Sequence, residues 1–336
     1  AFASAGDGIL MRDFDISSFK GDSRLWVSFA NTLKLRMAIR MSGVEPEARR
    51  IAEEAVRDMA TYGLIDANAE NLSFSSDSRQ NPFYTQATST SWQDLRSNAS
   101  IVMYMNAYED PRRASYFSKS GYDGIYVGVR AGIQNVTPTD YATYSYPLFA
   151  EKDPVPVMYA SESWFLRAEG ALRGWAMGGD ARSFYEEGIR LSFERCGVAD
   201  QLTAYMASTA LPGSYEDPAF GYSCSNQSTV TIPWNDGAAF EENLERIITQ
   251  KWIANFPLGT EAWADYRRTG YPRLFPVVVN NNPDITNLQL GARRMTYPLE
   301  EYEANGETIR AAVDQWLGGQ DKMSTRLWWD CNPRIR

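Results

Sequence analysis

Apolar residues recur at three- and four-residue steps in two pairs of segments of this chain, and each pair is joined by only a few turn-forming residues. In the first pair, Trp26, Phe29, Ala30, Leu33, Met37 and Met41 mark one helical stripe beginning near Ser23, and Gly43 can end it. Pro46 suits the opening turn of a second helix, on which Ala48, Ile51, Ala52, Ala55, Val56 and Met59 form a stripe that stops at Gly63. Glu53 and Arg57 stand at i,i+4 spacing on its wet side. A helix buries such a stripe against another apolar surface, so the pattern predicts a helix hairpin over residues 21–63.

The second pair spans residues 158–196. Its helices are predicted at Tyr159–Trp175 and Ala181–Phe193, joined through a Met-Gly-Gly-Asp turn, with Asp180 placed to cap the second. Ala168, Ala171 and Gly188 permit close approach, while Phe165, Leu172, Trp175, Phe184, Tyr185 and Ile189 supply bulk. Each hairpin resembles a tetratricopeptide unit of about 34 residues, which buries its stripe by stacking on a neighbour. Between the hairpins, residues 68–156 turn to Ser, Asn, Thr, Tyr and Pro with short apolar pieces, which predicts long loops, short helices and a few strands. A connection of that length usually carries a functional surface.

Residues 197–233 are again polar and turn-rich. Phe240, Leu244, Ile247, Ile248, Lys251, Trp252 and Phe256 then mark a long helix, and a short one from Thr260 carries Trp263 and Tyr266. A last helix follows, with Ile309, Val313 and Trp316 expected inward, and the tail of Leu327, Trp328 and Trp329 is expected to dock. The fold class is therefore all-α, with tetratricopeptide-like hairpins packed against a loop-rich subdomain that has few short strands. We read residues 1–336 as one domain whose C-terminal helical region covers 238–317.

Charge and residue scarcity narrow the chemistry. A net charge of −9, from 33 basic and 42 acidic residues, disfavours nucleic acid or an anionic lipid surface as partner. No histidine is present, so Ser-His-Asp and Cys-His catalysis, imidazole metal ligation and a histidine pH switch are excluded. The glycines of Gly121 to Gly132 do not fit a dinucleotide fingerprint, and no cofactor is expected. Cys196, Cys224 and Cys331 are too few and too dispersed for a cysteine-rich zinc site. A Cys196–Cys224 disulfide, worth roughly 3 to 4 kcal/mol by loop closure, and three buried free thiols are the alternatives. At Asn280, Asn281, Asn282 and Asp284 a plain turn fits better than calcium, which wants more carboxylates.

Two blocks carry a family resemblance. The run RIITQKWIANFPLGTEAWADYRRTGYPRLFPVV from Arg246, closed by RRMTYP before a last helix, and ASESWFLRAEGALRGWAMGGDARSFYEEGIRLSF from Ala160 resemble the SusD/RagB family of outer-membrane lipoproteins. The segment from Gly21 to Ser42 is similar to one that the family commonly carries. The resemblance implies a non-catalytic, surface-exposed outer-membrane protein that captures glycans, or alternatively peptides, for a SusC-like TonB-dependent transporter. It also implies sequence upstream of Ala1, including an N-terminal lipid anchor that makes the membrane contact. Lys251, Trp252, Glu261, Trp263, Asp265, Arg267 and Arg268 read as an ion-paired scaffold rather than a ligand site.

The remaining functional signal is aromatic. A flat ring can cover the C–H face of a sugar while polar side chains bond its hydroxyls, and this needs neither metal nor catalytic residue. Tyr84, Trp92, Tyr141 and Tyr144, all in the loop-rich stretch, are the expected ligand contacts. A helical glycoside hydrolase would need two carboxylates roughly 5 to 10 Å apart. Glu162 and Glu169 are the candidates for it, with ion pairing to Arg167 and Arg173 as the competing reading. A scaffold that binds only protein is the third possibility.

Overall fold

The computed structural model describes residues 12–77, 79–87, 95–134, 137 and 139–332. Among these, α1 (Ser23–Arg40), α2 (Ala48–Arg57) and α3 (Met59–Tyr62) form the first hairpin and its short extension. The loop-rich region holds β1 (Leu72–Phe74), α4 (Pro82–Ala87), α5 (Ala99–Ala107), α6 (Arg113–Tyr116) and β2 (Val155–Met158). The second hairpin is α7 (Ala160–Leu172) and α8 (Ala181–Arg195), followed by α9 (Leu202–Ala207), α10 (Phe240–Ala254), α11 (Gly259–Thr269) and α12 (Leu299–Trp316). The protein is thus mostly helical.

Both hairpins form, and local chemistry explains their limits. Asp22 caps α1 by accepting from the Arg24 amide at 2.9 Å, and Asp180 caps α8 by accepting from the Ser183 amide at 2.9 Å. Gly188 lets α8 meet α7, because a Cβ there would lie 2.9 Å from ring carbons of Phe165. On α2 the expected stripe is the one buried, through Ala48, Ala52, Ala55 and Val56. Its polar side differs from the expectation: Glu53 accepts from Arg49 at 2.8 Å, and Arg57 pairs with Asp58 at 3.0 Å.

α1 turns a different face inward from the one that apolar spacing predicts. Leu35, Ala38 and Ile39 are buried together with Asn31, Thr32 and Arg36, whereas Met37 is 53 % exposed and Trp26 and Phe29 are half-buried. Polar bonds set this face. Asn31 Nδ2 donates to the carbonyls of Ala55 at 2.9 Å and Gly63 at 2.8 Å, and Arg36 reaches Glu162. A stripe drawn from apolar residues cannot include them.

β1 and β2 pair antiparallel, with Leu72 opposite Met158, and so close the base of the loop-rich excursion. Ala99, Val127 and Tyr144 of that excursion form a small core completed by Tyr215 from the 197–233 stretch, separate from the large core shared by both hairpins, α5 and α10. At the other end of the chain, α12 buries Val313 alone, and Trp316 is 69 % exposed rather than inward. Helical spacing specifies a face but not the length of surface opposite it. The tail docks through a buried Arg293–Asp330 pair at 2.6 Å and through Trp329, 4.8 Å from the Arg267 guanidinium, while Trp328 stays 62 % exposed.

α1, α7, α10 and α11 meet at a buried ion network. Arg36 grips Glu162 with bonds of 2.9 and 2.6 Å, Lys251 lies 3.4 Å from Glu162 and 2.8 Å from Asp265, and Arg268 joins Asp265 at 3.1 Å to Glu169 at 2.8 Å. Every charge has a counter-charge in contact, which a dry helix junction requires. The network fixes the α10–α11 turn, residues 255–258, against α7.

Candidate functional site

That turn forms one wall of a cavity of about 280 Å³. Phe83 from α4, Phe117 and Phe149 from the loop-rich region, and Trp252, Phe256 and Leu258 from the α10 end enclose it, with Arg96, Ser97, Asn98 and Asn255 as its polar lining. Asn81 starts α4 by accepting from the Phe83 amide at 2.8 Å and the Tyr84 amide at 3.3 Å, which presents Phe83 to the cavity. Phe83 and Phe149 stack at 5.0 Å, 25° from parallel. Phe256 continues the wall, 6.1 Å from Phe149 and 15° from parallel.

Two polar atoms in this lining lack a partner. Asn255 is 3 % exposed and Ser97 4 %, yet Asn255 Oδ1 and Ser97 Oγ make no hydrogen bond among the described residues. An unsatisfied buried polar group costs about 1 to 3 kcal/mol. Both residues line the otherwise apolar, aromatic cavity, but the two oxygens are shielded from solvent, so a ligand hydroxyl or water reaches them only when the side chains rotate. Asn98 Oδ1 is committed to capping α5 through the Ser100 amide at 2.8 Å. Arg96 Nε donates to the Tyr141 carbonyl at 3.0 Å, tying the cavity to the adjoining loop core.

The expected ligand contacts fall around this place in different ways. Tyr84 is half-buried on α4, beside Phe83. Tyr141 is half-buried in the loop core, its ring 5.7 Å from the Arg96 guanidinium. Tyr144 lies deeper, at 2 % exposed: it stacks on Phe220, and its hydroxyl donates to Asp217 at 2.5 Å. Burial, then the Asp217 carboxylate, pushes the Tyr144 pKa up, so the hydroxyl stays protonated. Trp92 lies outside the described residues.

Apolar counting assigned Trp252 and Phe256 to helix packing, and no motif pointed to Phe149, Ser97 or Asn255. The Phe-Pro-Leu-Gly sequence that ends α10 is the one signal available, since it stops the helix and leaves its last aromatic at a turn.

The other candidates resolve structurally. Glu162 and Glu169 are buried and ion-paired, to Arg36 and Lys251 and to Arg268 and Arg173 respectively, rather than Glu162 to Arg167. Burial would raise both pKa values, but these cations more than offset it and hold them low, so neither carboxyl is a proton donor at neutral pH. The three cysteines are free and half-buried, and the Cys196–Cys224 disulfide is not formed. At Asn280 the side chain closes a turn, donating to the Asn282 and Ile285 carbonyls, and no metal-holding cluster occurs among the described residues. No described helix is long and apolar enough to cross a membrane.

Comparison with known proteins adds to this geometry. Residues 4–330 match the family described as SusD-like, the SusD and RagB outer membrane lipoproteins. No curated protein matches the sequence. Among solved structures, a chitin-binding SusD homologue from Flavobacterium johnsoniae is 40% identical with a TM-score of 0.93, covering 99% of this chain and 69% of its own. A SusD-like protein from Bacteroides thetaiotaomicron is 43% identical with a TM-score of 0.91, covering 99% of this chain and 69% of its own. A SusD homologue from Bacteroides uniformis is also 43% identical, with a TM-score of 0.92 and coverage of 98% and 70%.

Proposed function

The chain belongs to the SusD-like family of outer-membrane lipoproteins, and from that premise we propose that it is a non-catalytic, surface-exposed protein that captures glycans and delivers them to a SusC-like TonB-dependent transporter. The observation that carries this reading is the cavity between α4 and the α10–α11 turn. Its stacked phenylalanines suit the C–H face of a sugar ring, and its unpaired Asn255 Oδ1 and Ser97 Oγ suit sugar hydroxyls. The chitin-binding protein of similar structure makes chito-oligosaccharides the first ligands to try.

In this reading Tyr84 and Tyr141 extend the contact surface beyond the cavity, Trp92 is a further ligand contact, and Tyr144 holds the Tyr141 loop from behind. Affinity is modest, roughly millimolar to micromolar, or about −4 to −8 kcal/mol, because the transporter must take the ligand on. The membrane contact is through an N-terminal lipid anchor, and the transporter is the protein partner. Co-purification of the barrel with the tagged protein from detergent-solubilised outer membranes tests that partnership.

The test of glycan capture is electrophoresis through gels containing single polysaccharides, with a reducing-sugar assay on the same samples. Retardation without sugar release supports capture; retardation with release identifies an enzyme. No retardation in any glycan gel, with peptide binding by calorimetry, moves the function to peptide capture.

A further inference from the structure

A second cavity, of about 510 Å³, lies across the Phe149 and Phe256 wall, which both cavities share. Tyr116, Asp153, Tyr159 and Arg195 are among its other lining residues. The Arg195 guanidinium lies 3.9 Å from the centroid of the Tyr159 ring, and its Nη2 donates to the Ala254 carbonyl at 2.7 Å and to the Tyr116 hydroxyl at 3.0 Å. Its Nε has no hydrogen-bond partner among the described residues.

Arg195 shares with the buried Arg130, Arg167 and Arg267 the use of carbonyl acceptors in place of a carboxylate, and of these four it is the one that lines this cavity. Arg36, Arg112, Arg268 and Arg293 each hold a carboxylate at 2.5 to 2.6 Å. Among the described residues Arg195 meets none; its acceptors are a carbonyl and a phenol. It stands at the C-terminus of α8 and bonds the last carbonyl of α10, so two helix ends offset part of its charge. No carboxylate among the described residues pairs with it directly, although Asp153 lines another part of the same polar cavity, which is large enough for a sugar residue. Tyr159, in the same wall, makes no hydrogen bond through its hydroxyl among the described residues, and burial keeps that hydroxyl protonated as a donor.

We propose that this second cavity binds the carboxylate of an acidic sugar residue, anchored by the Arg195 guanidinium and the Tyr159 hydroxyl. The Asp153 carboxyl, which closes its own turn by accepting from the Ala150 amide at 2.7 Å, accepts from the sugar's hydroxyls. Phe149 and Phe256 cover the ring face. Because they also bound the first cavity, a neutral unit in one and a uronate in the other would belong to one chain. The flat ring walls favour a uronate over a peptide C-terminus, which offers the same carboxylate. The inference rests on the glycan reading and narrows it to chains that carry acidic residues.

The experiment is titration calorimetry of the full chain with tri-galacturonate, with its methyl ester, with neutral oligosaccharides, and with a dipeptide and its C-terminal amide. The acid binds at least roughly tenfold more tightly than the ester, as a charge-assisted bond to arginine implies. Arg195→Gln abolishes that preference and leaves neutral-glycan affinity unchanged; Tyr159→Phe, which keeps the ring, reduces the preference and guards against misfolding of the first variant. Equal binding of acid and ester, or a preference that survives both substitutions, overturns the site. A preference confined to dipeptide over its amide assigns the cavity to peptides and overturns the sugar. Silence across every glycan, neutral and acidic, removes the glycan reading itself, whereas neutral binding without acid preference removes only this inference.

Discussion

The Phe149 ring lies 6.1 Å from that of Phe256 and 15° from parallel, and the pair is the wall between two cavities. Phe149 comes from the loop-rich excursion and Phe256 from the end of α10, so this wall joins the variable part of the molecule to its helical scaffold. Phe83 stacks on one side of it, and Tyr116 on the other at 4.9 Å from Phe256. Four rings thus run from one cavity to the next.

Phe83 is half-buried, as are Phe149 and Phe256, and it stands on the short α4 at one end of the stack, so its loss tests ring contact with little damage to the core. Phe83→Ala is expected to weaken glycan binding by roughly 1 to 2 kcal/mol, about five- to thirtyfold, with the thermal midpoint nearly unchanged. Calorimetry beside a melting curve checks both; unchanged affinity removes Phe83 from the site.

Asn255 carries a trade-off between stability and binding. Its side-chain oxygen is buried and unpaired without ligand, so Asn255→Leu is expected to stabilise the free protein by up to roughly 1 kcal/mol while weakening glycan binding. Opposite signs in the two measurements are the signature. Loss of stability together with unchanged binding would mean that the oxygen has no ligand role.

The ion network predicts acid sensitivity. Burial raises the pKa values of Glu162, Glu169 and Asp265, but Arg36 and Lys251, Arg268 and Arg173, and Lys251 and Arg268 respectively outweigh it and hold all three low. The unfolded chain therefore takes up these protons first as pH falls. Stability is fully present above the ordinary carboxylate pKa of roughly 4 and declines as pH drops below it toward the depressed folded values. Urea midpoints measured from pH 7 to pH 3 check the direction, and a flat profile contradicts it.

Cutting the same network should be severe. Glu169→Ala leaves Arg268 buried without its main partner and is expected to cost roughly 3 to 5 kcal/mol, read from the urea midpoint. A cost under roughly 1 kcal/mol would show that water reaches the junction.

Gly188→Ala probes the α7–α8 contact. The new Cβ meets the Phe165 ring at 2.9 Å, so one of the two helices must move. The expected cost is roughly 1 to 3 kcal/mol in the same assay, and an unchanged midpoint would show that the hairpin yields freely.

Sequence reading reached the helices more easily than the cavity, for physical reasons. Hairpins are written in local spacing and caps, as in Ala52, Ala55, Val56 and Asp180. Which face of α1 turns inward was not so written, because Asn31 and Arg36 are buried through bonds to residues 24 and 126 positions away. Phe149, Phe256, Ser97 and Asn255 become neighbours only through the closed loop excursion, and the missing partner of Asn255 Oδ1 is a property of that packing. Trp316 illustrates the converse error, since a well-spaced apolar residue stays exposed where nothing lies opposite it.

The most direct measurement is titration calorimetry with a glycan that retards the protein in gels, on the wild type and on the Phe83→Ala and Asn255→Leu variants. Weakened binding in both variants with the fold retained is the expected result. Full-strength binding in both would contradict the assignment of glycan capture to this cavity.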